Sequence, residues 1–79
     1  MENYYTLEEV SLHNTEDDIW IIINGNVYDI TDFIHEHPGG RDILLSFAGE
    51  DVSEFFNELH KPDILIEIAD QYKIGSIVQ

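Results

Sequence analysis

At 79 residues the chain has the size of one domain, residues 1–79, in a range where an apolar core alone supplies little net stability and a further staple is expected. It contains no cysteine, which excludes disulfides, thiolate zinc sites, iron–sulfur clusters and covalent attachment of a prosthetic group through C-x-x-C-H, and which fits a reducing compartment. Seventeen acidic residues against three basic ones give a net charge of −14, so nucleic acid and anionic membrane surfaces are poor partners and a basic protein is a better one.

In chain order, Thr6-Leu7-Glu8-Glu9 has the form of a capping box, in which hydroxyl and carboxylate reciprocally satisfy free backbone N–H groups, and a short helix through Leu12 follows. Ile19-Trp20-Ile21-Ile22-Ile23 is β-branched and aromatic and reads as a buried strand. Asn24-Gly25 suits a type I′ turn, which needs positive φ at both central positions, and Asn26 to Ile30 returns as a second strand. Thr31 is expected to cap a helical turn over Asp32 to Glu36, which ends at Pro38-Gly39-Gly40.

Ile43, Leu44 and Phe47 recur at helical spacing in a run from Arg41 to Ala48, and Val52, Phe55, Phe56 and Leu59 do so from Asp51 to Leu59. Gly49 separates the two runs, and Asp51-Val52-Ser53-Glu54 supplies a cap for the second. Lys61-Pro62 ends it, Asp63 caps a further helix with Ile64, Leu65 and Ile68 on its stripe, and Tyr72 to Val78 reads as a closing strand. The mixture is a small α+β domain, a short sheet at one end and helices at the other. With no stretch of roughly 18 apolar residues and no secretory signal at Met1-Glu2-Asn3, the chain reads as soluble.

His60 follows His37 by 23 positions. The two helical runs between them are each about 12–14 Å long at about 1.5 Å per residue, and the break at Gly49 lets the chain double back. Both imidazoles then sit near the open ends of a helical hairpin, an arrangement suited to gripping a flat metal cofactor such as haem from opposite faces. His35 and His37, two apart, point to different faces of a helix and do not share an ion. His13, among polar residues of the first helix, reads as a surface side chain, and Trp20 as core on the sheet side, away from any metal.

The ordered set His37-Pro38-Gly39-Gly40, Ala48-Gly49, Asp51, Phe55-Phe56 and His60, preceded by Trp20 and Val27-Tyr28-Asp29-Ile30-Thr31, closely resembles the cytochrome b5 family from Tyr5 to about Ile77. The histidine spacing is one residue shorter than in microsomal members. Together with Lys61-Pro62-Asp63, it is similar to the haem domain of flavocytochrome lactate dehydrogenases.

The resemblance implies a cytochrome b5-like fold, with two helical pairs forming a crevice for a non-covalent haem b and with His37 and His60 as axial ligands. Each imidazole must be neutral to offer a lone pair, so its other ring nitrogen donates outward, by similarity to the Gly40 carbonyl for His37 and to a carbonyl near Phe55 or Phe56 for His60. Pro38 stops the helix, while Gly39 and Gly40 let the backbone turn and approach the ring. Ile23, Ile30, Phe33, Ile43, Leu44, Phe56, Leu59, Leu65, Ile68 and Tyr72 are the expected pocket wall, and Lys61 is placed near a haem propionate.

With two histidines on the iron no open coordination position is left for substrate. The expected function is therefore one-electron transport rather than enzymatic catalysis, with no catalytic residue. Asp42, Asp51, Glu54 and Glu58 form the expected docking ring; Arg41 departs from the acidic residue often found at its place in the family and bears on partner preference. The implied donor is a flavin-dependent reductase, and the acceptor a basic redox protein or catalytic domain such as a desaturase, hydroxylase or cytochrome. A soluble cytoplasmic monomer is expected, with no membrane anchor in this chain, or else a domain of a longer protein. Three other readings stay open: a module holding haem for sensing or delivery, a non-haem interaction domain that kept the fold, and a zinc site built from His37, His60 and Asp63.

Overall fold

The isoleucine-rich run at residues 19–23 lies in a sheet covered on both faces, and this double burial is why it reads as a continuous apolar run. The computed structural model describes residues 3–36, 41–58 and 71–78, and of Glu36, Arg41 and Ile43 the backbone alone. Its elements are β1 (Tyr4–Tyr5), α1 (Leu7–Ser11), β2 (Asn14–Thr15), β3 (Asp18–Ile23), β4 (Asn26–Asp29), α2 (Thr31–Glu36), α3 (Arg41–Ser46), α4 (Ser53–Glu58) and β5 (Lys73–Ile77). The five strands form one sheet in the order β1-β5-β4-β3-β2. It is mixed: β1 runs parallel to β5, and the other pairs are antiparallel.

Side chains alternate across β3. Ile19, Ile21 and Ile23 enter a cluster with Tyr28, Ile30, Ile34, Leu44, Val52 and Phe56. Ile22 joins Val10 and Val27 in a second cluster, against which Trp20, Tyr5, Ile74 and Ile77 pack. Asn24 (φ 51°) and Gly25 (φ 82°) both take the left-handed region, as the two-residue β3–β4 turn requires. The capping box of α1 is formed, Glu9 N–H donating to Thr6 Oγ1 at 3.1 Å and Thr6 N–H to Glu9 Oε1 at 3.4 Å.

Four expectations are corrected. Thr31 begins α2 instead of capping it: Asp29 Oδ1 accepts from Thr31 N–H at 3.1 Å and from its hydroxyl at 2.7 Å. The Thr31 hydroxyl oxygen accepts from Ile19 N–H at 3.0 Å, tying α2 to β3. The run from Arg41 stops at Ser46, because Phe47 N–H and Ala48 N–H bond back three residues to Leu44 and Leu45, tightening the last turn before Gly49 (φ 79°). The helix expected from Asp51 starts at Ser53, because the preceding backbone is used by the sheet: Ile22 N–H donates to Glu50 O at 3.0 Å and Val52 N–H to Ile22 O at 2.8 Å. Asp51 still serves the helix start, its carboxylate accepting from Ser53 N–H at 2.9 Å.

His13 is the fourth. It lies beyond α1, not in it, and stacks on Trp20 with ring centroids 3.6 Å apart and planes 7° from parallel. Its Nδ1–H donates to Asp18 at 2.7 Å, and Tyr5 meets the indole edge-on, so the ring helps close the sheet side of the fold. The closing strand is Lys73–Ile77 within the expected span; β1 and β2 were not foreseen. The expected helix after Asp63 lies outside the described residues.

Candidate functional site

Three short helices, α2, α3 and α4, contribute to the core on one face of the sheet. As described, α2 spans Thr31–Glu36 and α4 Ser53–Glu58, and in the sequence His37 follows the first span directly and His60 lies two residues past the second. Both helices are rooted in the same core: Ile34 of α2 and Phe56 of α4 are buried in the cluster that holds Ile21 and Leu44. His37, Gly39, Gly40, Leu59, His60, Lys61, Leu65 and Ile68 lie outside the described residues, as does Asp63.

Of the residues expected to wall the pocket, those that are described belong to the core on the helical side of the sheet or pack against it, apart from Ile43. Ile23 and Ile30 are wholly buried, Leu44 and Phe56 nearly so, all in one cluster. Phe33 and Tyr72 pack against it from α2 and the approach to β5, edge to face at 5.6 Å. Ile43 lies in α3. Among the described residues no polar or charged residue is buried, so the core on this side of the sheet is wholly apolar, with the Phe33 and Tyr72 rings at its edge. Such an apolar surrounding is compatible with a flat apolar macrocycle and itself offers no donor to a metal. Among the described residues there is no group of three histidines and carboxylates arranged for a metal ion.

Asp42, Asp51, Glu54 and Glu58 are all exposed. Three of them share a surface: Asp51, Glu54 and Glu58 line a groove with Phe47, Val52 and Phe55, which Asp42 does not join. Sequence reasoning missed what holds α4 in place. Asn24 N–H donates to Ser53 Oγ at 2.7 Å, and the Asn24 and Asn57 carboxamides bond each other in both directions at 3.2 and 3.0 Å. These contacts join the β3–β4 turn to the helix leading to His60. The partners are 29 and 33 residues apart, and no local pattern announces them.

The architecture is that of a small α+β domain in which short helices pack an apolar core onto one face of a mixed sheet. Residues 6–78 match the family model of the Cytochrome b5-like Heme/Steroid binding domain. The chain belongs to the cytochrome b5 family. It is 49% identical over 75 residues to cytochrome b5 type B of Rattus norvegicus, covering 94% of this chain and 51% of the relative. It is 45% identical over 73 residues to cytochrome b5 of Candida tropicalis, covering 92% of this chain and 57% of the relative. The chain thus spans about half the length of the curated relatives it matches.

Among solved structures, it is similar to cytochrome b5 of Ostreococcus tauri virus 2, with a TM-score of 0.82, 40% identity and coverage of 94% of this chain and 95% of that one. Cytochrome b558 of Ectothiorhodospira vacuolata is similar at a TM-score of 0.80 and 31% identity, over 96% of this chain and 99% of that one. Haem b is the cofactor of this family, and the wholly apolar core on the helical side is compatible with it. No described helix is long and apolar enough to cross a membrane.

Proposed function

We propose that residues 1–79 act as one haem-holding unit that carries single electrons, with His37 and His60 as the two axial ligands of a non-covalent haem b. The observation that carries this reading is the shared root of α2 and α4 in one apolar cluster, since the histidine pair follows the ends of those two helices. Bound haem supplies a metal centre that changes oxidation state by one electron without bond rearrangement. The chain's residues do the rest. His37 and His60, as neutral imidazoles, would hold the iron between them, which would leave no site for a substrate and make the unit a carrier, not an enzyme. Ile30, Phe33, Leu44, Phe56 and Tyr72 exclude water from one side, with Leu59, Leu65 and Ile68 assigned to the other, and Lys61 to the propionates.

The charge of −14 stabilises the form of the iron with the extra positive charge, and so favours the oxidised state. Asp42, Asp51, Glu54 and Glu58 are assigned to docking a basic redox protein, with a flavin-dependent reductase as the donor. Transfer to such a basic acceptor should slow as salt rises, because screening acts over about 8–10 Å at moderate ionic strength; a salt-independent rate removes the docking assignment.

The deciding experiment is the visible spectrum of the purified protein, oxidised and then reduced with dithionite. Sharp low-spin ferrous bands that do not shift under carbon monoxide are expected. A carbon monoxide shift would reveal an open iron position and sink the two-histidine assignment. A colourless protein that fails to take up added haem would remove the carrier reading altogether.

A further inference from the structure

The groove beside α4 has a floor that the acidic docking reading does not explain. Phe56 turns into the core, but its neighbour Phe55 stays half-buried, meets Phe56 edge-on at 5.6 Å and lies 5.1 Å from half-buried Phe47. The two outer rings line an open groove of about 320 Å³ whose other lining residues are Val52, Asp51, Glu54 and Glu58. Three carboxylates therefore stand over an aromatic floor.

Their spacing is unfavourable to the free protein. Asp51, Glu54 and Glu58 are three and four residues apart, so like charges neighbour each other at the start and along the side of a helix. No lysine or arginine occurs between Arg41 and Lys61, and among the described residues none of the three carboxylates has an ion pair. A cation arriving from outside relieves that repulsion. The rings add a preference among cations. A guanidinium is planar and weakly hydrated, stacks on an aromatic face and bonds a carboxylate through two N–H groups at once, whereas an ammonium is a compact, strongly hydrated point charge.

We propose that this groove is a seat for an arginine side chain of a basic partner segment, with the guanidinium over Phe47 and Phe55 and its N–H groups directed to Glu54 and Glu58. The proposal rests on the reading that the acidic helical face docks a basic protein, and it names the side chain that this face selects. Selection comes from the rings, and attraction from the carboxylates.

The test titrates the haem-loaded protein with two peptides of equal length and charge, one carrying arginines and the other lysines, while backbone amide signals of residues 47–58 are followed by NMR. The arginine peptide should bind about two- to fivefold more tightly, the size of an exposed cation–aromatic contact. The shifts should centre on Phe47, Glu54, Phe55 and Glu58. Phe47→Leu and Phe55→Leu should abolish the difference between the peptides, while Glu54→Gln with Glu58→Gln should weaken both. Equal affinities for the two peptides in the unaltered protein, or shifts that map elsewhere, overturn the proposal whatever the variants do. The haem spectrum is read in the same samples. Failure of arginine selection with an intact spectrum discards the seat and leaves the carrier reading standing.

Discussion

On the helical face of the sheet, Ile19, Ile21 and Ile23 of β3 meet Ile34, Leu44 and Phe56 from three different helices. On the opposite face, Ile22 meets Val10 and Val27, with Trp20, Tyr5, Ile74 and Ile77 closing over them. The same strand thus serves two cores of different character. The helical core is assembled from side chains of three short segments, α2, α3 and α4, and the sheet. The opposite core joins the two ends of the chain, β1 to β5, and is sealed by the stack of His13 on Trp20. The difference teaches that even so small a domain builds two separate cores on one strand, and on the proposed reading only the helical one bears on the cofactor.

Replacing His60 with Ala should break the comparison most strongly. Haem retention should be lost and thermal stability of the loaded protein lowered, because a ligand that binds only the folded state stabilises it by mass action. An unchanged spectrum would remove His60 from the site. Next is Phe56→Ala, expected to cost about 3–5 kcal/mol in urea unfolding and to speed haem loss as well, since Phe56 lies in the helical core. Ile22→Val, one methylene on the other face, should cost about 0.5–1.5 kcal/mol and leave the haem spectrum and release rate alone. If it alters haem release as strongly as Phe56→Ala does, the two faces are not separable. Thr6→Ala, which removes the capping hydroxyl of α1, should cost about 1 kcal/mol, visible in the same unfolding curve and absent from the spectrum.

Much of this was legible in the residues. Asn24-Gly25 announces its turn because few other pairs accept positive φ twice, and Thr6 with Glu9 announces a helix start because both bonds are local. The isoleucine run of β3 announces burial. The two-residue strands β1 and β2 do not announce themselves, since Tyr4 acquires its strand character from Ser76 at the other end of the chain. His13 looked like a surface residue for the same reason. Its ring partner is Trp20, across a strand pairing that the sequence does not display. Of the candidate site, the sequence offers the histidine pair as a type and spacing, and the apolar residues that the structure gathers into the helical core as a periodic pattern. The aromatic floor of the groove was not, because helical periodicity assigns Phe47 and Phe55 to the core and only packing shows which rings remain at its edge.

By itself, the sequence determined what depends on neighbours along the chain: the capped first helix, the hairpin, the break at Gly49, the acidic surface and the family to which the histidine pattern points. Tertiary structure decided what depends on contacts between distant residues. It ended α3 early, took Glu50 and Val52 into pairing with β3, moved the helix start to Ser53, and tied α4 to the hairpin through Asn24 and Asn57. The physical reason is that a buried backbone N–H or carbonyl must find a partner, and beside a sheet edge that partner can be a strand rather than the next turn of a helix.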